Sequence, residues 1–358
     1  MKRVEKITSI QLLTMIFITK LFFFMMYTPK MEIGMESTVY MIGQLCSIPF
    51  IFLSLLPFYY LNTNLPNYNI MECGKKVNFK FGKIIGMLYY FYMIFSVVNT
   101  LINFDFYLSS AVYPESKSYL FIIIITAACA YCGVLGIEPL ARFSGFVIIA
   151  LIISGAMIFL PLVSKVNLSF IHIPRDMGLK DFAKAVYMGI ISNNEIVFLY
   201  IFADKIKGNA SKGIGKYILT SVGFYELVAF FTVAIFGAYE KTVLFPLYSL
   251  SGVASLSILE RTESVHVAIW VFVAFVKLSL LLIAAGKLLT GFIKMGLDKG
   301  VIISSAISLI LALLISKSFK ILHYIRIFMY TGVLFGIFIV VLPTMVAVSV
   351  KINGVRKN

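Results

Sequence analysis

Between its clusters of lysine the chain is a succession of apolar runs of about bilayer length. A run of about 20 such residues is what a helix needs to cross the hydrocarbon core. In that medium each backbone N–H and C=O must be satisfied inside the protein, and a helix does this within the segment. The fold expected is therefore an all-α integral membrane protein. Composition agrees: 60% of residues are hydrophobic and 13% charged, with a mean hydropathy of +0.97, whereas soluble domains carry about 25% charged residues. No segment between runs is long enough for a soluble enzyme domain. The formal net charge of +15 resides mostly in short loops, where a positive-inside bias and anionic lipid explain it better than nucleic acid.

Ten spans are expected, at about Ile10–Tyr27, Val39–Tyr60, Gly82–Tyr107, Tyr119–Val134, Phe143–Val163, Ala185–Ala203, Tyr217–Ala238, Val265–Thr290, Val301–Ile315 and Ile327–Val350. Pro29 ends the first, and Pro49 and Pro57 interrupt the second. The N-terminal MKRVEKITS leads into a retained first span, with no A-x-A cleavage site. Asp176–Lys180 reads as an interfacial helix and Phe245–Glu263 as a re-entrant or surface helix. The lysine distribution favours both termini on the inner side. Ten crossings also divide into two sets of five, residues 10–163 and 185–350 of one membrane domain. An odd number of crossings per repeat inverts the second. Lys20 and Glu195 then fall at equivalent places.

Span 6, AVYMGIISNNEIVFLYIFA, carries Ser192, Asn193, Asn194 and Glu195 in its middle. An ionisable group at that depth is costly unless it lines a polar cavity. Four adjacent polar residues also cover every side of a helix and cannot all face one neighbour. A local break at a protein-lined site resolves both difficulties, exposing backbone groups to a ligand or ion. In span 1, Lys20 either pairs with Glu195, holds a ligand carboxylate, or stands where a sodium ion would otherwise bind. Span 3 places Tyr89, Tyr92, Ser96, Asn99 and Asn103 on one face, which packs on other helices or lines a cavity. In span 8, Lys277 needs a partner, and Glu226 of span 7 or Glu195 would serve. Lys287, near the end of that span, is expected to snorkel, and Trp270 to anchor at the interface.

Chemistry of other kinds finds no support. There is no phosphate-binding glycine loop, no H-x-x-x-H pair and no G-x-S-x-G elbow, so neither an enzyme nor a cofactor is expected. Cys46, Cys73, Cys129 and Cys132 form no disulfide framework. Cys129 and Cys132 are one turn apart without a second pair, so no metal site is expected.

Two segments resemble a known family. GIEPLAR at Gly136–Arg142 and FPLYSLSGVASLSILERTESVHVAIWVF leading into span 8 resemble the B subunits of spore germinant receptors, a branch of the amino acid–polyamine–organocation transporter superfamily. The resemblance runs the length of the chain. It implies a five-plus-five inverted repeat with discontinuous spans 1 and 6, and residence in the inner membrane of an endospore. It implies A and C receptor subunits as partners and a small germinant, usually an amino acid, as ligand. The ligand would sit at Phe17–Phe22, which includes Thr19 and Lys20, and at Ile191–Glu195, with spans 3 and 8 closing the pocket. ITKLFFF offers no glycine, unlike the small, Gly-rich break many superfamily transporters have in span 1. A secondary amino acid transporter working alone is the alternative.

Overall fold

The computed structural model describes residues 6–24, 37–115, 118–172, 178–254 and 262–355. Among these, eight helices are long and apolar enough to cross a membrane. Two shorter apolar helices, Ser9–Phe22 and Tyr119–Leu135, lie where spans 1 and 4 were expected. Regular sheet among the described residues is confined to two strands of two residues. Strand β1 (Ile7–Thr8) runs parallel to β2 (Ile206–Lys207), pairing Ile7 with Ile206 and Thr8 with Lys207. Ser9 strengthens the tie by donating from its hydroxyl to the Lys212 carbonyl at 2.7 Å.

Span 8, Thr262–Thr290, is the axis of the bundle. Its residues Leu280 to Ala285 are all buried, as expected of a helix apolar on every side. Spans 1, 3, 4, 5 and 9 pack around it. Spans 4, 5 and 9 turn large apolar side chains outward, among them Ile124, Ile152 and Leu314. Span 2 lies along the first half of span 6. Small residues allow this approach: a Cβ on Gly43 would collide with Ala185, and one on Gly189 with Ser47. Close backbone approach of this kind is how helices associate where no hydrophobic effect drives them together.

Several expectations need correction. Span 1 is one helix over Ser9–Phe24, so the break expected at Phe17–Phe22 is not there. With neither Gly nor Pro, the segment keeps its ladder, and Thr19 turns its hydroxyl back onto the Ile16 carbonyl at 2.8 Å. Pro29 lies outside the described residues. The tenth span does not begin at Ile327. A separate helix, Phe319–Tyr330, ends at Gly332 in the left-handed region with φ 66, and the spanning segment runs Val333–Ile352. The loop through Cys73 holds a helix, Ile70–Val77, started by a capping box. Asn69 accepts from the Glu72 N–H, and the Glu72 carboxylate from the Asn69 N–H, each at 3.0 Å. That box was visible as Asn three residues before Glu. Of Phe245–Glu263, Pro246–Val253 forms a helix with Leu247 and Leu250 buried, and residues 255–261 lie outside the described residues. So does Asp176; Lys180 belongs to the first turn of Leu179–Ile191.

Trp270 is no interface anchor. It is fully buried, stacked between Phe22 and Phe104 at centroid distances of 5.1 and 5.3 Å. Lys287 does not snorkel either. It forms an ion pair with Asp204 and donates to the Ile201 carbonyl at 2.7 Å, closing one end of spans 6 and 8 together.

Candidate functional site

Span 6 breaks where its polar residues are. Helix Leu179–Ile191 stops, Asn194–Ile196 form a single 3₁₀ turn, and Val197–Phe202 resume as α-helix. The cause is local competition for backbone groups. Ser192 Oγ and Asn193 Nδ2 donate to the Gly189 carbonyl at 2.9 and 2.8 Å. Asn194 Nδ2 donates to the Ile191 carbonyl at 3.0 Å. Side chains thus take over acceptors at the end of the first half-helix, which would be expensive to leave bare in a membrane.

Three spans meet at the break. Glu195 is buried, and its Oε1 accepts from Lys277 Nζ of span 8 at 2.9 Å. Lys277 also donates to the Thr19 carbonyl of span 1 at 3.1 Å, and its ammonium lies 5.5 Å from the centroid of the Phe22 ring. Lys20, also of span 1, is 1% exposed and donates to Asn193 Oδ1. Among the described residues, two buried lysines and the Glu195 carboxylate thus meet at the break in span 6. The Glu195–Lys277 pair answers the sequence's open question about Lys277, and no Glu226–Lys277 ion pair forms. Lys20 lies in the electrostatic field of Glu195, with the Asn193 amide as a hydrogen-bond acceptor.

A second line of polar groups leads away along span 2. Gln44 Nε2 donates to Tyr40 Oη at 3.0 Å and to Ser192 Oγ at 3.3 Å. Gln44 Oε1 and Asn194 Oδ1 are buried acceptors without a hydrogen-bond partner among the described residues. Glu226 stands near Tyr40, and its Oε1 is likewise without one. Composition gave no reason to single out Tyr40 or Gln44. The only available signal was their i, i+4 spacing on one face of span 2.

Span 3 contributes differently from expectation. Tyr92 is buried, lies in the field of Glu195, and stacks on Phe338 at 4.2 Å. Asn99 is buried, and Asn103 Nδ2 donates to its carbonyl at 2.8 Å and its Oδ1 at 3.1 Å.

Nothing in the sequence gave span 10 a part in the site. Three tyrosine hydroxyls donate to the backbone of span 10 and of the turn before it: Tyr187 to the Thr331 carbonyl at 2.7 Å, Tyr89 to Phe338 at 2.6 Å and Tyr200 to Ile339 at 3.3 Å. The carbonyls are accessible because the backbone here is irregular. Gly332 separates span 10 from the helix before it, and Gly336–Val341 form a π-helix. Tyr187 and Tyr200 belong to the two halves of span 6, so one side of its break is fastened to the turn before span 10 and the other to span 10 itself.

The family model described as spore germination protein matches residues 6–321. The chain belongs to that family. The match contains every residue of the charge cluster and ends inside the helix Phe319–Tyr330. No curated protein matches the chain. As a spore germination permease, it is a multi-pass membrane protein connected with germination, of a permease-like and not an enzymatic family.

Proposed function

We propose that this chain is the germinant-sensing membrane subunit of a spore germinant receptor in the endospore inner membrane. It would act beside A and C subunits and bind a small nutrient that carries a carboxylate, an amino acid above all. The observation that carries this reading is the meeting of two buried lysines, Lys20 on the Asn193 amide and Lys277 on Glu195, at the break in span 6. In a low-dielectric interior an ammonium group makes a strong, charge-assisted bond to an anionic visitor. A ligand carboxylate would replace Asn193 Oδ1 as acceptor for Lys20. A ligand ammonium would find Glu195 and the unfilled acceptors Gln44 Oε1 and Asn194 Oδ1. Asn99 and Asn103 would form a wall of the same pocket. The inverted five-plus-five repeat belongs to this reading, with span 6 supplying the break and span 1 the ammonium.

Sensing needs no transport cycle. A ligand that binds one arrangement of span 6 better than another shifts the population between them. Binding to the reconstituted receptor, measured across a panel of amino acids and nucleosides, tests the reading. An amino acid is expected to bind at least about ten-fold more tightly than its methyl ester, because the neutral ester can accept a hydrogen bond from Lys20 but cannot form an ion pair with it. Equal binding of acid and ester, or an unchanged affinity in Lys20→Met, would overturn it. Concentrative uptake by the chain alone would favour the transporter instead.

A further inference from the structure

Away from the charge cluster a groove of about 640 Å³ opens between spans 3, 4, 5 and 8. Phe121, Ala128 and Leu135 of span 4 line it, together with Phe104, Phe143 and Phe275 of the other three helices. Ile124 and Tyr131, also in its lining, are 65% and 70% exposed, so the groove opens on the surface these helices turn to lipid.

Its dimensions restrict the occupant. From Phe121 to Leu135 it follows span 4 for about 21 Å, at a rise of about 1.5 Å per residue. Spread over that length, the volume gives a mean cross-section of about 30 Å². A single hydrocarbon chain fits. Half the hydrocarbon core is about 15 Å thick, so the groove can take the full depth of a chain from one leaflet.

The Leu135 end carries charge. Span 5 starts there at Ile137, and two of its early residues, Pro139 and Phe143, line the groove. Between them stands Arg142, its side chain 75% exposed, with one terminal nitrogen on Glu138 at 2.7 Å. A guanidinium has five N–H donors in a planar fork suited to phosphate. We propose that the groove is a site for one phospholipid, with an acyl chain along span 4 and its phosphate on Arg142.

Trp270, the sole tryptophan, reports on this directly, since it stacks on Phe104 of the groove wall. The purified full-length chain is placed in neutral-lipid nanodiscs containing a small fraction of phosphatidylglycerol with brominated acyl chains. Quenching of Trp270 fluorescence is expected to exceed the mole-fraction value several-fold. Arg142→Gln should lower it to that value, and Ala128→Phe, which fills the groove, should abolish the excess. Leu135→Phe, at the partly exposed end, replaces Ala128→Phe if that variant does not fold. Wild-type quenching at the mole-fraction value, or an excess unaffected by filling the groove, would overturn the proposal. So would an excess that vanishes when the other receptor subunits bind, which would assign the groove to a protein helix.

Discussion

Glu195 and Lys277 hold each other at 2.9 Å, both nearly inaccessible, and such a pair responds asymmetrically to mutation. Removing one partner strands a buried charge and costs about 3–5 kcal/mol, whereas replacing both with apolar groups is often neutral. Glu195→Gln and Lys277→Met should each lower the amount of folded protein in the membrane. The double variant should recover much of it, as read by quantitative blotting and thermal unfolding. Strictly additive losses would mean that the two do not interact. Lys20 is predicted to behave otherwise. It donates to the Asn193 amide at the proposed ligand site, so Lys20→Met should be felt in ligand affinity, as read by the dose–response midpoint at matched protein level. Asn99 offers a comparable separation. As a pocket wall, Asn99→Leu should cost about 1–3 kcal/mol in ligand affinity with little change in protein level. As packing alone, it should lower the amount of protein and leave the dose–response midpoint where it was.

Among the elements, the broken sixth span was legible because Ser-Asn-Asn-Glu cannot be accommodated on one face of a buried helix. The interruption in span 10 was not, although Thr331-Gly332 stood in plain view. A lone glycine in an apolar run is usually a packing residue, and nothing local says that it adopts φ 66. What fixes that conformation is long-range. A Cβ on Gly332 would meet the Tyr187 hydroxyl and Ile191, and that same hydroxyl occupies the Thr331 carbonyl. Tyr187→Phe should therefore destabilise the protein by about 1 kcal/mol, the net worth of the lost hydrogen bond. Gly332→Ala should be worse, adding a collision to about 1–2 kcal/mol of backbone strain. Thermal unfolding of the purified variants measures both. A Tyr187→Phe protein of unchanged stability would show that the carbonyl finds another donor.

For the whole molecule, hydropathy located the apolar segments and the loop lysines, because those follow from solvent alone. It could not pair the charges: Lys277 had two possible acids, and only the packing of spans 6 and 8 selects Glu195. Nor did it foresee Trp270 at the centre, since the interface is the usual address of a tryptophan and the Phe22 and Phe104 rings that enclose it come from distant parts of the chain. The short ladder of Ile7–Thr8 on Ile206–Lys207 was equally hidden, being too brief for any periodicity. Its mechanical meaning is considerable. It clasps the chain leading into span 1 to the chain leaving span 6, with the Ser9 hydroxyl as a second stitch. Two rods clasped at one end part like the legs of a pair of tweezers. A ligand seated between Lys20 and Asn193, as proposed, would spread these helices most at the ends away from the clasp, so the clasp would bias the side of the membrane toward which they part.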